Sequence, residues 1–249
     1  MLIDTHCHIL SCEYDNVKEV LEDSFKNGVD KLIINGFDVD SSKEAVKLAE
    51  KYNNVYAAVG IGPENIDLPE DAIKIISELS KSSKVVAIGE IGLDYYWTTD
   101  TKEQQISLFK KMLEIAHTRN LPVIVHSRKA SQDTYNYLKE YNVNGILHCY
   151  SGSVEMAKRF TKLGFLLGIG GVITFKNAKQ LKEVVSSLDV KNFALETDSP
   201  YLSPEPFRGQ KNAPKNIILV AQKIAQIKNI ETKEIIDKTG QSVCTLFDI

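Results

Sequence analysis

The sequence contains few of the residues that would require an unusual fold or compartment. Only four cysteines occur among 249 residues, and no two of them form a C-x-x-C pair. A chain of this length can bury roughly 70–75% of the surface that it exposes when unfolded, so it does not require disulfides for stability. The cysteines therefore predict reduced thiols in a cytoplasmic protein rather than a disulfide scaffold.

Long apolar runs and an excess of positive charge are also missing. No stretch approaches the roughly 18 apolar residues that a membrane-spanning helix needs. The opening residues MLIDTHCHIL lack the basic segment and apolar run of a signal peptide. The formal net charge is −3, so no general positive field would hold a long polyanion, and any contact with nucleic acid must be local. Nothing in the sequence indicates a membrane contact or an obligate protein partner.

Short apolar runs rich in β-branched residues recur along the whole chain. Each run is continuous rather than alternating, which is typical of a strand buried on both faces of a parallel sheet. The eight runs are MLIDT (1–5), KLIIN (31–35), VYAAVG (55–60), VVAIGE (85–90), PVIVH (122–126), GILHC (145–149), FLLGIGG (165–171) and FALETD (193–198).

Longer amphipathic segments separate these runs and predict helices. They cover YDNVKEVLEDSFKNG (14–28) and residues 41–52, 70–82, 101–120, 129–141, 153–163 and 176–188, followed by KNIILVAQKIAQI (215–227) and TKEIIDKTGQSVCTLF (232–247). Alternating strands and helices predict an α/β fold with right-handed crossovers. Eight strands favour a closed (β/α)8 TIM-type barrel, in a single domain of residues 1–249, over an open doubly wound sheet. Periodicity does not separate these two alternatives.

Side chains that bind metals fall at the ends of the apolar runs. They are Asp4, His6, His8, Glu90, His126, His148, Glu196 and Asp198. In a barrel these ends share the carboxyl rim, where catalytic residues gather. An isolated H-x-H is more often a hydrogen-bonded core pair, but four of the five histidines lie at strand ends, which favours a metal site. Residues two apart on a strand point the same way, so His6 and His8 could bind one ion. Cys7 and Cys149 would then turn away as small core residues.

The donor types narrow the chemistry of this site without identifying the metal. Imidazole with carboxylate suits Zn, Mn, Fe, Co or Ni, and additional oxygen donors would suit Mg. Glu90 could bridge two ions through its two oxygens, and Asp198 could bind an ion while accepting a proton from a nucleophilic water. Serines beside the candidate ligands lack a separate base, so a metal-activated water is the better nucleophile.

Six motifs in order make the chain similar to the TatD family of metal-dependent deoxyribonucleases, within the amidohydrolase-like barrels. The motifs are IDTHCH (3–8), GEIGLDYY (89–96), PVIVHSR (122–128), LHCYSG (147–152), ETDSPYLSP (196–204) and RGQKNAP (208–214). The resemblance implies a (β/α)8 barrel with two, sometimes three, divalent ions that hydrolyses phosphodiester bonds in DNA.

The same resemblance implies roles for individual residues. His6 and His8 would bind one ion, and Glu90 would bridge to the second. His126 and His148 would bind that second ion, Asp198 would complete the site, and Glu196 would serve a third ion or orient the site.

The chain departs from the family pattern in two loops. The segment GIGPEN (60–65) has Gly62 where a histidine is usual, and Glu64 or Asn65 is the candidate to compensate. The segment KNAP (211–214) has Ala213 in a position that is usually acidic. Both departures concern a third metal and phosphate positioning rather than the two-ion ligands.

Cations and aromatic residues beyond the strand ends could bind a substrate. Arg128 follows the fifth strand and Arg208 the eighth, and arginine can pair with a phosphate through two hydrogen bonds. The cluster Tyr95, Tyr96 and Trp97 follows the fourth strand and could either pack as a lid or stack on bases.

Three functions are compatible with these residues. The first is a metal-dependent deoxyribonuclease, exonucleolytic on single-stranded ends. The second is a metal-dependent hydrolase of a small amide, ester, lactone or aminoacyl substrate, since the same activated water attacks carbonyl carbon. The third is a metal-binding partner module, which an open site able to hold water disfavours.

Overall fold

A computed structural model describes residues 1–249, in which eight parallel strands form one sheet in chain order. The strands are β1 (Ile3–Cys7), β2 (Lys31–Asn35), β3 (Val55–Val59), β4 (Val85–Asp94), β5 (Val123–Arg128), β6 (Gly145–Leu147), β7 (Phe165–Ile169) and β8 (Phe193–Leu195). The chain after β8 returns to β1, where Cys7 forms a parallel bridge with Ser199. This contact closes the sheet into the predicted (β/α)8 barrel. Strands from both ends of the chain therefore lie in the same barrel.

Nine α-helices surround the strands. They are α1 (Val17–Lys26), α2 (Val39–Lys51), α3 (Ala72–Leu79), α4 (Lys102–Arg119), α5 (Ser131–Tyr141), α6 (Val154–Lys162), α7 (Lys179–Ser187), α8 (Ile217–Lys228) and α9 (Thr232–Phe247). Short 3-10 segments cover Gly171–Thr174, Val190–Asn192 and Pro214–Asn216. Every predicted helix is present. Strands β6 and β8 end earlier than predicted, because Cys149 and Asp198 have φ of 45° and 54°, which a strand cannot accommodate.

The apolar residues form two layers. The larger cluster lies between the strands and the helices. The smaller cluster fills the barrel interior with buried residues from seven of the eight strands and with two residues of α9. Its members include Ile3, Ile33, Ala58, Ala87, Ile124, Ile146, Ala194, Val243 and Phe247. Helix α9 therefore seals the end of the barrel opposite the carboxyl rim.

Phe247→Ala is expected to lower the free energy of unfolding by about 3–5 kcal/mol, as for other buried aromatic residues. The ring of Phe247 is buried within the inner cluster, so its removal leaves a cavity against the barrel. Chemical denaturation measures the effect, with Thr245→Ala on the exposed face of α9 as the control. Equal stability of the two variants would contradict the sealing role.

Two register shifts set the direction of site residues. The pairing of β1 with β2 shifts between Asp4 and Cys7, and the pairing of β4 with β5 shifts between Ile88 and Ile91. Ile3 belongs to the inner cluster and Cys7 to the outer one, although regular alternation would place them on the same side. An extra residue in β1 therefore lets both Ile3 and the histidines face the barrel interior.

Candidate metal centre and substrate cavity

His6 and His8 lie with two carboxylates at the carboxyl rim of the barrel. The two Nε2 atoms are 3.1 Å apart. Oε2 of Glu90 lies 3.4 Å from Nε2 of His6 and 3.6 Å from Nε2 of His8. Oδ1 of Asp198 lies 3.7 and 3.6 Å from the same two nitrogens. These four side chains surround one point where a single cation could sit.

His126 and His148 face the other oxygen of the same glutamate. Oε1 of Glu90 lies 3.2 Å from Nδ1 of His126 and 3.7 Å from Nε2 of His148. The two oxygens of Glu90 therefore each face a different pair of histidines. The six predicted two-ion ligands are brought together, in an arrangement suited to two cations that share one carboxylate.

The hydrogen bonds on the outer side of the rings indicate which nitrogens are free to bind a cation. Nδ1 of His8 donates to the carbonyl oxygen of Asn35 at 2.9 Å, and Nε2 of His126 lies 2.9 Å from Oδ2 of Asp94. In the neutral ring the inward nitrogen then carries a lone pair. That lone pair of His126 faces Glu90 Oε1, so two acceptors oppose each other unless a proton or cation lies between them. The residues therefore fit divalent cations.

Glu196 occupies an orienting position behind His148. Its side chain is fully buried, and Oε1 accepts a hydrogen bond from the backbone N–H of Cys149 at 2.7 Å and lies 3.3 Å from Nδ1 of His148. The contact with the ring is close but poorly aligned, so Nδ1 lacks a hydrogen bond of good geometry. Gly168 makes room for this carboxylate, since a Cβ there would lie 2.2 Å from Oε2. Carboxylates behind metal-binding histidines fix the ring orientation.

The charges of the site shift the pKa of several of its groups. Burial would lower the pKa of His126, but Asp94 and Glu90 outweigh it and raise the pKa to about 10. Burial would also lower the pKa of His148, but Glu196 and Glu90 outweigh it and raise the pKa to about 9. Burial would raise the pKa of Glu90, but His6 and His148 hold it well below the usual range. At neutral pH, protons on His126 and His148 therefore balance the negative charge of the carboxylates.

Cation binding is expected to release protons and to tighten as pH rises. At pH 7 His126 and His148 hold protons that a cation must displace, because their pKa values are about 10 and about 9. Apparent affinity should therefore increase through neutral pH and level off only near pH 9–10, rather than near the ordinary histidine value of about 6.5. Titration calorimetry in two buffers of different ionisation enthalpy counts the released protons. Heats that do not depend on the buffer would contradict this.

The backbone around Asp198 is held by β1 and by the loop after β8. Its N–H donates to the carbonyl oxygen of His6 at 2.9 Å. The buried amide of Asn212 donates to the carbonyl oxygens of Thr197 and Tyr201, at 2.9 and 2.8 Å, on either side of Asp198. Asn212 lies in the KNAP segment and was not among the predicted site residues. The available signal was its position as a polar residue in a loop where the chain departs from the family pattern.

The two departures from the family pattern lie in different places. Glu64 lines the pocket over the metal centre, and a Cβ on Gly62 would lie 2.9–3.1 Å from its carboxylate atoms. A side chain at position 62 and the carboxylate of Glu64 therefore compete for the same space. Ala213 lines a separate groove with Tyr14 and α1, outside the pocket over the metal centre.

Two adjoining cavities open above these residues. A cavity of about 240 Å³ covers the metal centre, and a second of about 540 Å³ shares His126, His148 and Asp198 with it. The second is also lined by Arg128 and by the first residues of α7, including Lys179, which was not predicted. A larger cavity of about 860 Å³ lies around the chain end at Ile249 and includes only His117 among the five histidines.

Two predicted side chains lie differently from expectation. Cys149 lines the cavity of about 540 Å³ instead of turning away, because its positive φ takes it out of the strand alternation. Arg208 is not among the residues lining either site cavity, and its guanidinium lies 4.3 Å from the centre of the Phe175 ring.

Asp94 is the main residue of the centre that sequence reasoning missed. It ends β4, four residues after Glu90, and its Oδ2 lies against His126. Its position at the end of the same strand as a predicted ligand was the available signal.

No helix of the chain has the length and apolar character needed to cross a membrane.

The whole chain is similar to proteins named as metal-dependent hydrolases. The family model for TatD related DNase matches residues 3–248. The uncharacterized metal-dependent hydrolase YabD of Bacillus subtilis is 41% identical, with 100% of both chains covered. The uncharacterized metal-dependent hydrolase YcfH of Escherichia coli is 34% identical, with 100% of this chain and 96% of that protein covered.

A solved structure has nearly the same fold. The crystal structure of YjjV, a TatD homolog from Escherichia coli, superimposes with a TM-score of 0.92 at 30% sequence identity. The match covers 100% of this chain and 98% of the other. The two chains therefore share the barrel architecture.

Proposed function

The chain belongs to the TatD related DNase family of metal-dependent hydrolases, and from this premise we propose that it hydrolyses phosphodiester bonds in DNA. The observation that carries the proposal is the placement of Glu90, whose two oxygens each face a separate pair of histidines. Two cations sharing a carboxylate suit displacement at phosphorus, where the entering and leaving oxygens both need stabilisation.

We assign the two-ion ligands from these contacts. His6, His8 and Asp198 would hold one cation, His126 and His148 the other, and Glu90 both. When bound, divalent cations lower the pKa of a water molecule and withdraw charge from phosphate oxygens. Glu196 and Asp94 would orient His148 and His126 rather than bind an ion, as their contacts with the outer ring nitrogens indicate.

Asp198 is the proposed proton acceptor. Burial would raise its pKa, but His148 and a hydrogen bond with His8 outweigh it, and the pKa is lowered. The carboxylate is therefore ionised at neutral pH and can take a proton from an attacking water. Oδ1 faces His6 and His8, and Asp198 lines both cavities, so it lies between the metal centre and the space for substrate.

The surrounding surface favours a local contact with a chain end. Arg128 lines the cavity of about 540 Å³ and can pair with a phosphate beside the scissile bond. The metal centre lies among buried residues at the base of these cavities, which a flexible single strand reaches more readily than a duplex. We therefore propose exonucleolytic action on single-stranded ends.

Cation replacement with matched substrates tests this function. The protein is stripped with a chelator, reloaded separately with Zn²⁺, Mn²⁺, Mg²⁺, Co²⁺ or Ni²⁺, and assayed on end-labelled single-stranded and duplex DNA. We expect cation-dependent shortening from one end, faster on the single strand. Ester or lactone hydrolysis without DNA cleavage would instead support a carbonyl hydrolase. Stoichiometric cation binding without any hydrolysis would support a binding module.

A further inference from the structure

We propose that Tyr96, Trp97 and Arg128 form a nucleotide subsite beside the metal centre, in which an unpaired nucleobase stacks on Trp97 and an adjacent phosphate pairs with Arg128. This inference rests on the proposed function and adds the part of the substrate that is recognised. The three residues are referred to below as the stacking subsite.

Trp97 and Tyr96 are unusually exposed for aromatic residues. The side chain of Trp97 is 77% exposed and that of Tyr96 is 50% exposed, in the loop between β4 and α4. The neighbouring Tyr95 differs, since its hydroxyl donates to Asp133 and Lys102 lies 4.8 Å from its ring centre. The aromatic cluster thus divides into one packed ring and two rings that face solvent.

Arg128 joins the two exposed rings to the site cavity. Its guanidinium carbon lies 3.7 Å from the centre of the Tyr96 ring and 5.2 Å from that of Trp97. The two rings meet edge to face, with centres 4.9 Å apart. Arg128 therefore covers Tyr96, whereas the high exposure of Trp97 leaves ring surface open for a planar ligand.

The position of the stacking subsite is tied to the metal centre through one carboxylate. Oδ1 of Asp94 accepts a hydrogen bond from the backbone N–H of Tyr96 at 2.9 Å, while Oδ2 contacts His126. Arg128 also lies on β5, two residues after His126, and lines the same cavity. A nucleotide bound there would be next to the reacting phosphate rather than at a remote surface.

The chemistry favours a nucleotide over an apolar protein segment. The open indole face offers stacking to any base, and the adjacent guanidinium supplies a positive charge for a phosphate. Bases inside a duplex are stacked on each other and cannot offer a free face to Trp97. The stacking subsite therefore selects unpaired nucleotides at or near a strand end.

The single tryptophan of the chain makes the contact directly observable. The protein loaded with Zn²⁺ is mixed rapidly with a thymidine hexanucleotide, so that fluorescence reports binding before cleavage. A length-matched oligomer with abasic residues supplies the same phosphates without bases. We expect the base-bearing oligomer to quench the fluorescence of Trp97 and the abasic oligomer to leave it nearly unchanged.

Variants separate stacking from phosphate binding. Fluorescence anisotropy of labelled oligomers measures the binding affinity. Trp97→Ala should weaken binding of the thymidine oligomer about tenfold and leave binding of the abasic oligomer unchanged. Arg128→Ala should weaken both, because it removes the phosphate contact. Phe207→Ala, an exposed aromatic outside both site cavities, is the matched control and should change neither.

The results distinguish failure of the subsite from failure of the proposed function. An equal loss of affinity for both oligomers in Trp97→Ala would overturn the stacking subsite even if DNA is cleaved. The absence of fluorescence quenching by the thymidine oligomer would overturn it as well. Base-dependent quenching without cleavage under any cation would retain the stacking subsite and refute the nuclease.

Discussion

Replacing Glu90 with glutamine is expected to weaken divalent-cation binding by at least about 100-fold and to remove hydrolase activity with it. Residues that only orient a ligand already affect metal affinity by about 10- to 100-fold, and Glu90 contacts the centre directly. Glutamine keeps one oxygen but replaces the other with an amide nitrogen that cannot bind a cation. Because the oxygens of Glu90 face different histidine pairs, the change affects both halves of the centre.

Glutamine has nearly the same shape, so Glu90→Gln should fold and the loss should be specific. Metal content after reloading, measured by mass spectrometry, should fall from the proposed two ions toward one or none. The pKa of His126 should also fall, since Glu90 raises it in the wild type, and NMR of the imidazole follows this without any assay. Glu155→Gln, an exposed residue in the first turn of α6, provides the matched control. Full metal content in Glu90→Gln would show that the centre does not share this carboxylate.

Asp198→Asn is expected to lower kcat by roughly 10²- to 10⁴-fold, the usual contribution of a general base. The asparagine oxygen can keep a contact with the His6 and His8 pair, but it cannot accept a proton at neutral pH. The affinity of the cation that Asp198 would hold should fall, but the four histidines, Glu90 and the asparagine oxygen remain, so the centre should still fill at saturating cation. This separation of binding from turnover distinguishes Asp198 from Glu90.

Single-turnover kinetics on labelled DNA and metal analysis of the same preparation test the role of Asp198. Asp67→Asn makes the same chemical change at an exposed position and should preserve both activity and metal content. Wild-type turnover in Asp198→Asn would exclude it as proton acceptor. Loss of cations in parallel with activity would instead make Asp198 a ligand only.

The strands, the helices and the set of candidate ligands could be read from the sequence because each depends on a local pattern. Continuous apolar runs such as KLIIN predict buried strands, and the observed β2 has the same bounds, Lys31–Asn35. The final helix, TKEIIDKTGQSVCTLF, likewise coincides with α9. Histidines and carboxylates at the ends of parallel strands must share one rim, so the sequence already indicated where the candidate centre would form.

Pairing between distant segments determined the features of the barrel and the site that the sequence did not predict. The direction of His6 depends on a register shift against β2, which reverses the side that simple alternation assigns. The contact of Asp94 with His126, and the support that Asn212 gives Asp198, join residues 32 and 14 positions apart. Closure of the barrel rests on Cys7 and Ser199, from opposite ends of the chain. Periodicity describes neighbours along one segment, whereas register, closure and hydrogen-bond partners depend on which segments meet, and only the tertiary structure determined these.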